Sequence, residues 1–170
     1  LHDALPICVY KARPLEVPGA GAPGVLPAMD YLTAANRVCL GDDVPEFRSG
    51  ALDARGKNVV VIGGGDTAMD CVRTAVRQGA SSVKCLYRRD RANMPGSRTE
   101  VQNAEEEGVK FEWLAAPKAL LGDANRLKGV RAVRMRLGPP DASGRQAPEE
   151  APGTEFDVAA DLVVAALGFD

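Results

Sequence analysis

The chain has 170 residues, 45% of them hydrophobic, and its 21 Lys and Arg against 23 Asp and Glu leave a net charge of −2. That is enough apolar material for one well-buried domain plus an appendage, and the absence of a basic excess argues against nucleic acid as a partner. No apolar run approaches the ~20 residues that cross a bilayer. With no signal peptide apparent either, a cytoplasmic protein without a membrane partner is expected.

In chain order, residues 1–7 come first and hold the only histidine, His2. They coincide with the translation of CTA CAC GAC GCT CTT CCG ATC, the tail of a common sequencing adapter, so residues 1–8 are expected to be an artefact. Residues 9–27 carry Pro14, Pro18, Gly19, Gly21, Pro23, Gly24 and Pro27 and read as an extended, turning segment. A short helix is predicted over 28–37, followed by a polar loop with Asp42, Asp43 and Pro45.

The β-branched run Val59 to Ile62 predicts a strand, and a helix is predicted over 67–78 with a turn at Gly79. A second strand is expected over 82–87, ending in Arg88, Arg89 and Asp90. A helix over 98–108 carries Glu105, Glu106 and Glu107 as a solvated face, with Gly108 as its C-cap, and 109–114 reads as a strand. Residues 127–137 alternate Val133, Met135 and Leu137 with Arg134 and Arg136, the period of a half-exposed antiparallel strand. Residues 139–153 read as loop, 155–158 as the return of a hairpin, and 162–166 as a strand buried on both faces. The fold class is therefore α/β, a Rossmann-like parallel sheet with an antiparallel meander inserted before its last strand. Cys8, Cys39, Cys71 and Cys85 form no Cys-x-x-Cys pair and no metal-ligand spacing. They read as small apolar filler in a reducing compartment, and no metal site is expected.

Gly63, Gly65 and Ala68 fit the G-x-G-x-x-G/A dinucleotide fingerprint, with a strand before and a helix after. Gly63 permits the tight turn, Gly65 removes the Cβ that would block a pyrophosphate, and Ala68 lets helix and strand pack closely. The pyrophosphate is held by free N–H groups and the dipole at the helix start. About 20 residues past the glycines, an acidic residue grips a ribose 2′-hydroxyl, whereas Arg accommodates a 2′-phosphate. Arg88, with Arg89 beside it, falls near that spacing and points to NADPH.

The stretch 63–80, then Tyr87 to Asp90, Asn93 to Arg98, 104–109 and the ending Ala166-Leu167-Gly168-Phe169-Asp170 together resemble the small (beta) subunit family of NADPH-dependent glutamate synthase. Val9 to Arg13 and Val17 to Ala20 extend the match. The resemblance implies an FAD domain interrupted by an NADPH domain, with hydride passing from NADPH to FAD. Electrons then reach a large (alpha) subunit through [4Fe–4S] clusters, where glutamine and 2-oxoglutarate yield glutamate. It further implies that Gly63, Gly64, Gly65, Asp66, Thr67 and Ala68 hold the pyrophosphate and that Arg88 and Arg89 hold the 2′-phosphate. Ala166, Leu167 and Gly168 would line the nicotinamide side. Residues 9–27 would be a remnant of the FAD domain, 28–56 an inter-domain helix and linker, and 57–170 the NADPH domain. Cys8 would stand where the family carries Gly, one base away from a Cys codon.

The family's FAD and cluster motifs fall outside this chain, which is expected to be an internal fragment, inactive alone and without a catalytic acid, base or nucleophile of its own. Related flavin oxidoreductases of the ferredoxin:NADP oxidoreductase or dihydropyrimidine dehydrogenase type share the same paired domains. A thioredoxin-reductase-like enzyme is disfavoured by the missing Cys-x-x-Cys. A non-catalytic nucleotide-binding module is the reading from another class.

Overall fold

The computed structural model describes residues 12–168 except 143 and 145. Residues 1–8, with His2 and Cys8, and the terminal Phe169 and Asp170 lie outside the described residues.

The β-branched run becomes β2 (Asn58–Ile62), whose Val59, Val60, Val61 and Ile62 are all buried. It is central in a five-stranded parallel sheet with β1 (Val25–Pro27), β3 (Ser82–Tyr87), β4 (Lys110–Trp113) and β8 (Leu162–Ala165), in the order β1-β8-β2-β3-β4. Alternation along β2 sends its side chains to two different layers. Val59 and Val61 join a cluster with Tyr31, Met69 and Val72 under the helices α1 (Ala28–Cys39), α3 (Asp66–Arg77) and α4 (Arg98–Glu106). Val60 and Ile62 meet Leu120, Leu127, Val130 and Val158 of an antiparallel sheet, built from β5 (Ala115–Gly122), β6 (Leu127–Pro140) and β7 (Gln146–Ala159). Burying each such side chain contributes about 1.5–3 kcal/mol, so this one strand anchors both layers. The meander sits, as expected, between β4 and the last parallel strand.

Several elements differ from the sequence expectation. The stretch read as loop over 139–153 is mostly strand, because β6 runs to Pro140 and β7 begins at Gln146. Pro148, Pro152 and Gly153 hid this. β7 is an edge strand, where proline is tolerated, and the register jumps from Val133↔Glu155 to Met135↔Glu150, a bulge that takes up 151–154. β5 was not anticipated either; it too is an edge strand, and its register shifts at Pro117. Within the Pro- and Gly-rich segment, β1 pairs with β8, and α1 packs on the helical side of the sheet.

Two of the three glutamates expected on a solvated face, Glu105 and Glu107, are ion-paired, while Glu106 is exposed. Glu107 lies 2.9 Å from Arg73 Nε, Glu100 also bonds Arg73, and Glu105 pairs with Arg91 at 2.8 Å. α4 is thereby clamped to α3 and to the 3-10 turn Arg91–Asn93. Gly108 closes α4 as expected: its N–H donates to Glu105 O and that of Val109 to Ala104 O, both at 3.0 Å. Cys71 and Cys85 are buried fillers, their thiols pushed up to about 12 by burial, while Cys39 is exposed.

Asp161 fixes the entry of β8 beside β2. Its Oδ2 accepts the backbone N–H and the side-chain N–H of Asn58, each at 3.0 Å, and Arg126 binds its Oδ1 at 3.0 Å. The Asn58 backbone bond, assisted by Arg126, holds this carboxyl below the usual carboxylate range. A depressed folded pKa stabilises the fold above the unfolded pKa, and that contribution is lost as pH falls through the folded one. Asp161→Ala is expected to lower stability by about 1–3 kcal/mol at neutral pH. In urea titrations the gap from wild type should narrow only in acid, beneath the ordinary carboxylate range.

Candidate functional site

At the C-terminal end of β2 the chain must turn within van der Waals reach of β8. Gly63 N–H donates to Leu86 O at 3.1 Å and Ala166 N–H donates to Ile62 O at 2.8 Å. Gly63 has φ +144°, and a Cβ there would fall 2.1 Å from Ala166 O, so only glycine fits. At Gly64 a Cβ would lie 2.4 Å from the Tyr87 ring.

Gly65 is different. Its backbone is extended (φ −89°, ψ 178°), and a Cβ would meet nothing within 4 Å. The protein itself does not require glycine at this position; the space beside it is open. α3 then begins at Asp66 with no side-chain cap. The first-turn N–H groups therefore carry the helix's partial positive charge toward that space, the arrangement that binds anions.

The open space is a cleft of about 600 Å³ where β2, β3 and β8 end. Ligands of doubly wound α/β folds bind in this crevice. Of the residues anticipated from sequence, Gly63, Gly64, Gly65, Thr67, Arg88, Arg89, Ala166, Leu167 and Gly168 line it together. Asp66 and Ala68 do not. Ala68 is fully buried beneath the turn, as close helix–strand packing demands, and the Asp66 carboxylate turns away to accept the Ser97 N–H at 2.9 Å.

The two arginines are not equivalent. Arg88 is exposed, whereas Arg89 is half-buried and its Nε is buried with no hydrogen-bond partner. A buried guanidinium nitrogen without a partner is costly, and Arg89 is among the residues that line the cleft. A backbone hydrogen bond ties Arg89 to Leu114. Leu114, at φ +51° the sole non-glycine with positive φ among the described residues, donates its N–H to Arg89 O at 3.0 Å. It also accepts the Met135 N–H at 2.7 Å. Such an αL leucine persists only where its surroundings over-determine it.

Sequence reasoning missed Tyr87, Asn93 and Pro95 on one wall and Arg13 to Leu15 and Ala115 to Pro117 on the other. Of these, Ala115 to Pro117 belong to β5, which has no periodic signal. The Tyr87 hydroxyl donates to Asn93 O at 2.9 Å, and its ring meets Trp113 edge-on at 6.4 Å. The charged residues lining the cleft are Arg13, Arg88 and Arg89, all cationic. Among the described residues, these three cations suit the wall to an anion. Among the described residues no cluster of His, Cys, Asp and Glu could hold a metal ion, and no helix is long and apolar enough to cross a membrane.

Because Gly65 faces open space, Gly65→Val is expected to leave the thermal unfolding midpoint within a few degrees of wild type while abolishing measurable NADPH binding. Gly63→Val, which drives a side chain into Ala166 O, should instead unfold the protein. Melting curves read beside nucleotide titrations separate the two effects. Normal NADPH binding by Gly65→Val would remove this turn as the phosphate site.

Residues 10–170 match the family model described as pyridine nucleotide-disulphide oxidoreductase. The chain is 62% identical over 162 residues to the glutamate synthase [NADPH] small chain of Azospirillum brasilense, covering 95% of this chain and 33% of that protein. It is 61% identical over 172 residues to the putative glutamate synthase [NADPH] small chain of Cereibacter sphaeroides, covering 99% and 40% respectively. It thus spans well under half the length of these relatives. FprA from Mycobacterium tuberculosis superposes with a TM-score of 0.76 over 96% of this chain and 49% of that one. Its 19% identity makes this a likeness of fold. On the match across nearly its whole length, this chain belongs to the pyridine nucleotide-disulphide oxidoreductase family.

Proposed function

We propose that this chain is the NADPH-binding part of the electron-input small subunit of a glutamate synthase. The observation that carries the nucleotide reading is the open turn at Gly65, facing an uncapped helix start, with Arg88 and Arg89 lining the same cleft. In this reading the N–H groups of Gly65, Asp66 and Thr67 hold the pyrophosphate, Gly63 and Gly64 shape the turn, and Ala68 brings α3 close beneath it. Arg88 and Arg89 bind the 2′-phosphate, and Ala166 to Gly168 form the nicotinamide end. When bound, NADPH supplies a hydride for FAD; the chain's own residues bind and orient the dinucleotide.

The 62% identity to a glutamate synthase small chain supports the narrower assignment. FAD, the [4Fe–4S] clusters and the contact with a large (alpha) subunit would then be provided outside residues 1–170, in a cytoplasmic enzyme. Arg13 N–H donates to Gly168 O at 3.0 Å, so the segments entering and leaving the described fold run side by side. We read them as the two connections to the FAD-binding half.

The test uses the full-length protein encoded at the locus together with its large subunit. It should form glutamate from glutamine and 2-oxoglutarate with NADPH as reductant. A charge-assisted hydrogen bond contributes roughly 1.5–3 kcal/mol, so Arg89→Ala should raise the KM for NADPH about 10- to 100-fold. Arg88→Ala should act in the same direction, and the weaker use of NADH should be nearly unchanged. NADPH oxidation with another acceptor but no glutamate formation would move the assignment to a related flavin oxidoreductase. Equal KM values for NADPH and NADH in wild type would overturn the 2′-phosphate assignment.

A further inference from the structure

We infer that Asp66 is a positioning residue: by accepting the Ser97 N–H it fastens residues 93–97 onto the glycine turn and so fixes one wall of the cleft. The inference rests on the proposed nucleotide site.

A carboxylate at the first position of α3 opposes the anion that the same turn is built to hold, so its presence calls for a reason. One general reason is the helix dipole, which favours acidic groups at this end. The geometry supplies a more specific one. Asp66 is exposed, and its Oδ1 lies 2.9 Å from Ser97 N. One residue earlier, Gly96 N–H donates to Gly64 O at 2.9 Å, and a Cβ on Gly96 would come within 3.1 Å of that oxygen. The segment therefore lies directly on the phosphate turn, with the Tyr87 ring packed against Gly64.

Further back along the segment, Asp90 Oδ1 accepts the Asn93 N–H at 2.9 Å, and the Tyr87 hydroxyl binds Asn93 O. Asn93 and Pro95, between these fastenings, line the cleft. The Asp66–Ser97 bond is the last fastening before α4, and the Ser97 side chain makes no capping bond of its own. Asp66 thus acts on the nucleotide through the backbone of 93–97, a wall that does not discriminate between NADPH and NADH. Arg88 and Arg89 alone do that.

The dipole role needs the charge of Asp66, whereas the fastening needs only its acceptor oxygen. Asp66→Asn keeps the acceptor and drops the charge; Asp66→Ala drops both. Ser97→Pro removes the donated N–H from the other side, at a residue whose φ of −54° suits proline. Ser97→Ala leaves that N–H in place.

NADPH and NADH are titrated calorimetrically into the full-length protein and these variants. Asp66→Asn should stay within about fivefold of wild type, the scale of a surface dipole effect. Asp66→Ala should bind both nucleotides about three- to tenfold more weakly than Asp66→Asn, the scale of one neutral hydrogen bond. Ser97→Pro should match that loss, Ser97→Ala should not, and the double variant Asp66→Ala/Ser97→Pro should be no weaker than either alone. Equal affinities in Asp66→Ala and Asp66→Asn, or wild-type affinity in Ser97→Pro, would overturn the fastening. A loss confined to NADPH would also overturn it, by making Asp66 part of 2′-phosphate recognition. Wild type that binds neither nucleotide would overturn the nucleotide site itself, and this inference with it.

Discussion

The close approach between Gly63 and Ala166 governs the site. β2 and β8 pair in parallel through Ile62↔Ala165, and both chains must then leave the sheet in the same few ångströms. A Cβ at Gly63 would sit 2.1 Å from Ala166 O, so the absence of a side chain decides whether β2 can turn into α3 at all. Everything functional hangs from that turn. It aims the start of α3 into the cleft, sets Ala166 to Gly168 opposite, and leaves Gly65 facing open space. Above the sheet the helices secure this geometry, and below it the meander supplies the far wall at Ala115 to Pro117. Val59 to Ile62, by packing alternately into both layers, link the two.

Electrostatically the cleft is one-sided. Its charged residues are arginines and its floor is a helix N-terminus without a side-chain cap. Each carboxylate of this region is already engaged: Asp66 with Ser97, Asp90 with Asn93, and Glu105 with Arg91. Engaged carboxylates hold the loop after β3 in shape and keep their negative charge directed at protein donors. The strained Leu114 belongs to the same scheme, because it ties Arg89 to β6 through two backbone hydrogen bonds.

The parallel core and the glycine turn were legible in the sequence because local chemistry dictates them. Four β-branched residues before three glycines and an uninterrupted helix leave few alternatives, and Gly108 and Gly79 mark helix ends by their positive φ. The antiparallel sheet was legible only at 127–137, where alternation is regular, and in the return strand at 155–158. β5 and the first half of β7 were not, since edge strands tolerate proline and glycine and take their register from β6 rather than from their own residues. The roles of the site residues divided similarly. Gly63 and Ala68 act as their types require, and Gly65 has no structural need to be glycine, as a phosphate-binding position predicts. The Tyr87–Gly64 contact, the turning away of Asp66 and the unequal burial of Arg88 and Arg89 depend on where the loop after β3 folds back, which no local pattern encodes.

The measurement that bears most directly on this account is a crystal structure of the protein with NADPH bound. The pyrophosphate should lie within hydrogen-bond distance of the Gly65, Asp66 and Thr67 N–H groups, and the 2′-phosphate on the Arg89 guanidinium. The nicotinamide should lie toward Ala166 to Gly168. A dinucleotide found away from the glycine turn, or one whose 2′-phosphate points to solvent with Arg89 Nε still unpaired, would contradict it.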